Sequence, residues 1–288
     1  MKTPIYVNEH MISIFLKELV RRAMVEIQRQ RFAFEATSKH GYGTEEMNDV
    51  FTSADTAAQD LYEKSIREAL PGIGIIGEED LKLPCTLDEE FYITVDPLDG
   101  TKAFVRQQSH GISTMVALVR EGEVISAWIG DINTSEIFGY RPDTDTVHRL
   151  HNFRPGQRMN EIDRNIELKD AMLLRRTFPN HPSELEKKTH KIFRDVHIDG
   201  SSIGTWFSRL WKGEMHALLI DPSYETPWDS TPVYGISKQL GFVYLKPEGE
   251  KWVEYDPGVT KEMYERDHIV LVVHKDFLEK LPEDILNK

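Results

Sequence analysis

Two aspartates stand three residues apart at the end of an apolar run. Residues 92–95 (YITV) are rich in β-branched side chains and predict a strand that runs into 96–101 (DPLDGT). Pro97 fixes φ and Gly100 permits a positive φ, so the turn has a defined geometry. Its two carboxylates are oxygen ligands of the kind that Mg²⁺ prefers, and N–H groups at the start of the helical segment that follows suit an anion. The stretch predicts adjoining metal and phosphate sites, although the same D-x-x-D spacing is also common in solvated turns.

Carboxylates occur at the ends of two other segments. The short apolar run 75–77 ends in Glu78 and Glu79, and Asp229 follows Trp228 at the start of a helical pattern. Acidic residues at the ends of separate elements can converge on one cleft, so we expect these groups to join the aspartates of the turn.

Residues 72–77 (GIGIIG) match the spacing of a dinucleotide-binding loop. That loop must follow a strand and open a helix, whereas these glycines follow a helical pattern and precede carboxylates that would repel a pyrophosphate. We interpret the segment as a turn that leads into a buried strand.

The first half of the chain reads as helices followed by hairpins. Apolar residues recur at helical spacing from Glu9 to about Ala36, and a second helix follows Thr52, whose pairing with Asp55 predicts a capping box. Two β-rich runs, 111–120 and 123–132, predict a hairpin, with further strands at 135–141 and 147–150. This order indicates an α+β half with an antiparallel sheet.

The second half alternates between strand and helix patterns. Strands are predicted at 171–176, 196–198, 215–220, 241–245 and 269–273, and helices at 182–193, 202–212, 228–240 and 275–287. The alternation indicates an α/β half. The polar, irregular stretch 151–169 places the domain boundary between residues 155 and 156, giving domains 1–155 and 156–288.

The amino-acid composition limits the partners and the cellular compartment that we expect for this protein. The 288 residues are 40% hydrophobic and 29% charged, with a formal net charge of −13. That charge disfavours binding to nucleic-acid polymers and to anionic membranes. The single cysteine, Cys85, allows no internal disulfide, and no apolar leader segment is visible, so we expect a cytoplasmic protein.

The acidic motifs, taken together and in this order, resemble those of the inositol monophosphatase family. The matching pieces are 77–79 (GEE), 96–101 (DPLDGT) and 228–229 (WD), with weaker matches at 49–55 (DVFTSAD) and 204–205 (GT). The resemblance spans roughly residues 39 to 240. It implies a Mg²⁺-dependent, lithium-sensitive phosphomonoesterase, commonly a homodimer, with a layered αβαβα sandwich of the inositol monophosphatase and fructose-1,6-bisphosphatase type.

The resemblance also implies a set of metal ligands. Glu78, Asp96 and the carbonyl of Leu98 would hold a first Mg²⁺, and Asp96, Asp99 and Asp229 a second. Thr101 and Glu78 would orient the attacking water, and no covalent intermediate is implied. A third, loosely bound ion would lie near Glu78, with Asp49 or Glu79 in its surroundings, and the resemblance places Lys39 in a loop that can approach the metals.

Substrate contacts follow from the same resemblance. Asp99, Gly100, Thr101 and Asp229 would contact the phosphate and the leaving group, joined by Gly204, Thr205 and Asp221. The bulky Trp206 replaces a small family residue, and Asp221 lies one residue further from Asp229 than expected. Inositol monophosphate, a 3′(2′),5′-bisphosphate nucleotide, histidinol phosphate and a sugar bisphosphate therefore all remain candidates for the substrate. A non-catalytic, metal-binding regulatory protein is a more remote alternative.

Overall fold

The computed structural model describes residues 8–39, 49–78, 81–87, 90–151 and 154–287. Its α-helices within these ranges are α1 (Glu9–Gln30), α2 (Ser53–Ala69), α3 (Thr101–Val105), α4 (Glu184–Ile192), α5 (Ile203–Trp211), α6 (Pro227–Gln239) and α7 (Lys275–Leu278). Within the described ranges, no helix combines the length and the hydropathy that a membrane span requires.

The strands fall into two large sheets and two short ribbons. Those of the first half are β1 (Ala36–Lys39), β2 (Asp49–Thr52), β3 (Gly74–Gly77), β4 (Lys82–Leu83), β5 (Phe91–Asp99), β6 (Ser113–Arg120), β7 (Glu123–Asp131), β8 (Glu136–Tyr140), β9 (His148–His151) and β10 (Arg154–Arg158). Those of the second half are β11 (Met172–Arg175), β12 (Asp195–Ile198), β13 (Ala217–Ile220), β14 (Ser223–Glu225), β15 (Phe242–Glu248), β16 (Lys251–Tyr255), β17 (Tyr264–Arg266) and β18 (Val270–His274).

The larger sheet has eight strands in the order β10-β9-β8-β7-β6-β5-β3-β4. Its pairs are antiparallel except β3 and β5, which run parallel. Helices α1 and α2 cover one face, where Leu16, Leu19 and Tyr62 are fully buried. The predicted hairpin of β6 and β7 is confirmed.

The second sheet has six strands in the order β12-β11-β13-β18-β15-β16. Helices α5 and α6 contact strands of both large sheets, and their buried side chains share one core with the two facing surfaces. The outer face of the second sheet packs against α4 and α7 through Leu185, Trp252 and Phe277. The resulting order of helix, sheet, helix, sheet, helix confirms the predicted αβαβα sandwich.

Several segments differ from the prediction, among them the strands β14, β16 and β17, which were not predicted. The first helix ends at Gln30, because residues 36–39 pair with β2 instead. The last helix ends at Leu278 and not at 287, since Pro282 disfavours helical geometry at the preceding residue. Within the stretch predicted to be irregular, Arg154–Arg158 forms β10 on the edge of the first sheet, across the predicted boundary at 155. The division into two domains stays a prediction.

Candidate metal and phosphate site

Three aspartates meet where β5 ends and α6 begins. Carboxylate oxygens of Asp96, Asp99 and Asp229 lie within 4.8 Å of one another. Because β3 runs parallel to β5, with Gly77 opposite Val95, the two strands end at the same edge, and Glu78 reaches the same cavity. Three segments that are far apart in the sequence therefore supply one acidic cluster.

The backbone of the turn has the geometry that its residue types predict. The pairing of β5 with β6 shifts register between Asp96 and Asp99, where Pro97 has no N–H to donate to the ladder. Gly100 has φ +92°, and a Cβ at this position would collide with the carbonyl oxygen of Gly111. Glycine is therefore required at the point where the chain leaves the strand and enters α3.

The electrostatics of the cluster favour a bound cation. Burial, together with the charges of Glu78, Asp229 and Asp99, raises the pKa of Asp96 well above its ordinary value. Burial and the charge of Asp99 raise the pKa of Asp229 to about 6. Burial also raises the pKa of Asp99. Carboxylates that repel one another in a desolvated site are stabilised by a positive ion between them.

One atom of this cluster indicates directly where a cation would lie. Among the described residues, the buried Oδ1 of Asp96 has no hydrogen-bond partner. A buried carboxylate oxygen with no partner is costly, and a metal ion would satisfy it. The donor set is all oxygen, which suits Mg²⁺. The residues present therefore fit the ions that the sequence predicts.

Thr101 reaches a partner that the sequence analysis left out of the site. Its Oγ1 lies 3.1 Å from Oδ1 of Asp55 and 3.2 Å from the carbonyl oxygen of Leu98, and it can donate to either. The other carboxylate oxygen of Asp55 accepts from the N–H and hydroxyl of Thr52, as the predicted capping box requires. A capping box uses only one carboxylate oxygen of Asp55. The second oxygen can therefore bind another group, and this is the feature of the sequence that could have placed Asp55 in the site.

A cavity of about 570 Å³ opens from the acidic cluster. The predicted residues that line it are Glu78, Asp96, Leu98, Asp99, Gly100, Thr101, Asp221 and Asp229. Gly204 and Thr205 are absent from its lining, since the Gly204 N–H donates to Asp99 Oδ2 at 2.8 Å and the Thr205 hydroxyl donates to the Ser202 carbonyl.

Asp221 lines the cavity, but its carboxylate is already engaged. One oxygen accepts from the fully buried Arg175, and the other accepts from Thr177 Oγ1 at 3.2 Å. Trp206 is buried and also lines the cavity. The predictions for Glu79 and for the side chains of Lys39 and Asp49 lie outside the described part of the chain.

The relatives found by sequence include a Nus factor and a nucleotidase. The chain is 33% identical over 91 residues to the Nus factor SuhB of Escherichia coli K12, covering 32% of this chain and 33% of that protein. It is 29% identical over 124 residues to the human 3′(2′),5′-bisphosphate nucleotidase 1, covering 34% of this chain and 39% of that protein. The alignments span well under half the length of either relative.

Solved structures match over most of the chain. The suhB extragenic suppressor protein of Bartonella henselae has a TM-score of 0.70 at 15% identity, with 93% of this chain and 95% of that one covered. An IMPase/NADP phosphatase complexed with Mg²⁺ and phosphate scores 0.67 at 14% identity, with 92% and 91% covered. A staphylococcal inositol monophosphatase soaked in LiCl, an inhibitory complex, scores 0.68 at 14% identity, with 94% and 93% covered. At these identities the likeness establishes the fold.

The model of one protein family matches residues 8–275, which is nearly the whole chain. Its description is that of the inositol monophosphatase family. The chain belongs to the inositol monophosphatase family.

Proposed function

We propose that this protein hydrolyses small-molecule phosphate monoesters in the presence of Mg²⁺, in the manner of an inositol monophosphatase. The observation that carries the proposal is the cluster of buried Asp96 and Asp99 with half-buried Asp229 in the lining of the cavity, where Oδ1 of Asp96 lacks a partner within the described residues. Membership of a family of phosphatases supports the reaction class.

The acidic residues of the cluster would serve as metal ligands. Asp96 would be shared between two ions, one held with Glu78 and the Leu98 carbonyl, the other with Asp99 and Asp229. When bound, such ions neutralise phosphate charge and lower the pKa of water. A third ion near Glu78, with Asp49 or Glu79 in its surroundings, stays part of the proposal.

Thr101 is the group placed to orient the attacking water. Because its hydroxyl hydrogen is directed to Asp55 or to the Leu98 carbonyl, its lone pairs are left to accept a hydrogen from that water. The aspartates serve as ligands, so we propose no covalent phospho-enzyme. Gly100 and Thr101 line the cavity where the phosphate would bind.

The test is phosphate release with and without Mg²⁺ from inositol 1-phosphate, 3′-phosphoadenosine 5′-phosphate, fructose 1,6-bisphosphate and histidinol phosphate. We expect Mg²⁺-dependent release of phosphate from at least one compound, and its loss in Asp96→Asn. Folded protein that binds Mg²⁺ yet releases no phosphate from the panel would contradict the proposal and favour a regulatory, non-catalytic member. Activity that survives in Asp96→Asn would refute the site.

The leaving group is a separate question, on which two observations favour the nucleotide alternative over inositol. Asp221, the acidic residue that would accept inositol hydroxyls, already accepts one hydrogen bond at each oxygen, from Arg175 and from Thr177, which leaves fewer lone pairs for a polyol. The cavity beyond the cluster is also lined by aromatic side chains, which suit a flat ring better than a polyol: Trp206, Tyr224, Tyr255 and Tyr264. The human bisphosphate nucleotidase among the relatives agrees with this alternative.

Arg176 gives this alternative a specific test, because its exposed side chain lines the same cavity and could meet a second phosphate. We expect Arg176→Ala to raise KM for 3′-phosphoadenosine 5′-phosphate about tenfold or more, with little change for inositol 1-phosphate. Arg176→Lys, which keeps the charge, is the matched control. Equal effects on both substrates would argue against the nucleotide.

A further inference from the structure

We propose that Ser113 is a positioning residue for Asp99, and that a chain of hydrogen bonds from the first turn of α5 sets its hydroxyl. The inference rests on the proposed function, because it concerns how Asp99 is presented to a metal ion. Ser113 opens β6 directly opposite Asp99 in the register of the two strands. Its Oγ donates to Asp99 Oδ2 at 2.7 Å.

The direction of this hydrogen bond follows from its neighbours. The Thr205 N–H donates to Ser202 Oγ at 3.0 Å, and Ser202 Oγ lies 2.9 Å from Ser113 Oγ. An amide can only donate and an ionised carboxylate can only accept. Both hydroxyl hydrogens therefore point toward Asp99, and each bond in the chain strengthens the next.

The first turn of α5 also holds Asp99 through its backbone. The Gly204 N–H donates to Oδ2 at 2.8 Å, and the Ile203 N–H approaches Oδ1 at 3.3 Å. Both carboxylate oxygens thus accept from the protein, which restricts the rotation of Asp99 about its side-chain bonds. The positive end of a helix favours this negative charge.

The same contacts explain why residue 204 is a glycine. A Cβ on Gly204 would collide with Ser113 Oγ and would lie 2.8 Å from Met115 Sδ. Without that Cβ, the hydroxyl and the helix end can approach Asp99 together. The Gly-Thr pair that the sequence analysis predicted to contact substrate is, on this inference, part of the support of a metal ligand.

Ser113 acts through Asp99 and does not contact substrate. It is fully buried and is absent from the lining of the cavity. A hydrogen bond to a metal-ligating carboxylate orients it, and loss of such a bond typically weakens metal affinity about 10–100-fold.

The experiment is calorimetric titration of Mg²⁺ into metal-free protein without substrate. We expect Ser113→Ala to weaken Mg²⁺ binding about 10-fold or more. Ser208→Ala is the matched control, because Ser208 is a buried serine of α5 whose hydroxyl donates to the Thr205 carbonyl and not to Asp99. We expect the control to bind Mg²⁺ as the wild type does. Thermal unfolding without metal verifies that each variant is folded.

A second variant keeps the test decisive if Ser113→Ala does not fold. Gly204→Ala would displace the same hydroxyl from the other side, so we expect a comparable loss of Mg²⁺ affinity. Where both single variants fold, the double variant should lose less Mg²⁺ affinity than the product of the two single fold-changes, because both substitutions remove the same hydrogen bond to Asp99.

The outcomes separate this inference from the proposed function. Wild-type affinity in both Ser113→Ala and Gly204→Ala would overturn the positioning role while the metal site stands. An unchanged Mg²⁺ affinity with a lower kcat in Ser113→Ala would also overturn it, because Ser113 would then act on the reaction and not on the ligand. A wild-type protein that binds no Mg²⁺ would instead refute the proposed function.

Discussion

Thr101 and Asp55 lie 46 positions apart in the chain, and the structure joins them by a hydrogen bond of 3.1 Å. Asp55 stands in the first turn of α2 and Thr101 at the start of α3, so two helix ends meet at the acidic cluster. The capping box holds Asp55 in place, and Asp55 in turn holds the hydroxyl that we expect to orient water.

Removal of the Thr101 hydroxyl should therefore lower kcat and leave the affinity for Mg²⁺ nearly unchanged. We expect Thr101→Val to lower kcat about 10²-fold or more, the range typical of a lost acid–base contact, with Mg²⁺ affinity within a factor of three of the wild type. Steady-state phosphate release and calorimetry measure the two quantities. A kcat within twofold of the wild type would contradict the role given to Thr101.

Thr52→Ala distinguishes the capping role of Asp55 from its chemical role. Thr52 shares the capping box but makes no contact with Thr101 among the bonds described. We expect this variant to lose about 1 kcal/mol of unfolding free energy, measured by urea denaturation. The backbone N–H of residue 52 still donates to Asp55, so we expect kcat, measured by phosphate release, to be nearly unchanged. Asp55→Asn, by contrast, should lose both stability and rate.

The raised pKa of Asp229 predicts that the metal-free protein loses unfolding free energy as the pH rises. Its folded pKa, about 6, lies above the ordinary 3.8, so its contribution to stability is fully present below pH 3.8 and is lost as pH rises through 6. At pH 7 the ionised group costs at most about 3 kcal/mol. We expect metal-free Asp229→Asn to be more stable than the wild type at pH 7, and the difference to vanish toward pH 4.

The measurement is the difference in unfolding free energy between the two proteins across this pH range. Histidines with lowered pKa values act in the opposite direction as pH falls, but they are common to both proteins and cancel. A wild type that is the more stable protein at pH 7 without metal would show that these carboxylates are not held in mutual repulsion.

Mg²⁺ itself should stabilise the folded chain. At a concentration 100 times its Kd, a ligand that binds only the folded state adds about 2.7 kcal/mol to the unfolding free energy. We expect a matching rise in Tm for the wild type, and none for Asp96→Asn, because the substitution removes the ligand that we propose both ions share. K⁺ at equal ionic strength is the control for general screening, and an equal Tm rise with K⁺ would count against a specific site.

Asp221→Asn should cost stability more than catalysis. Its carboxylate accepts from Arg175, which is fully buried and also bonded to Glu186. Asn keeps an acceptor oxygen but not the negative charge, so we expect a cost of no more than the about 1.5–3 kcal/mol of a hydrogen bond to a charged group. We expect a lower Tm with KM within twofold of the wild type for the preferred substrate. A large rise in KM at unchanged Tm would return Asp221 to the role of a substrate contact.

Local spacing and residue type were enough to predict several parts of the site. The turn 96–101, the capping box of α2 and the hairpin of β6 and β7 are short-range patterns, and each has the predicted form. The order of helices and strands was also readable, because hydrophobic periodicity reports which face of each element is buried. The length of the last helix is overestimated, because the apolar residues Leu281, Ile285 and Leu286 are buried although they lie beyond the end of the helix at Leu278.

The contacts between groups that are far apart in the chain depend on the fold and could not be predicted from local patterns. Thr101 with Asp55, Ser113 with Asp99, and Arg175 with Asp221 are pairs brought together by the packing of sheets against helices. Nothing in the local sequence of Asp221 says that its carboxylate is neutralised by a buried arginine, and nothing near Gly204 says that its missing Cβ makes room for a serine hydroxyl. Residue type limits what chemistry a side chain can do, but the partners that orient, neutralise or exclude it are set by long-range packing.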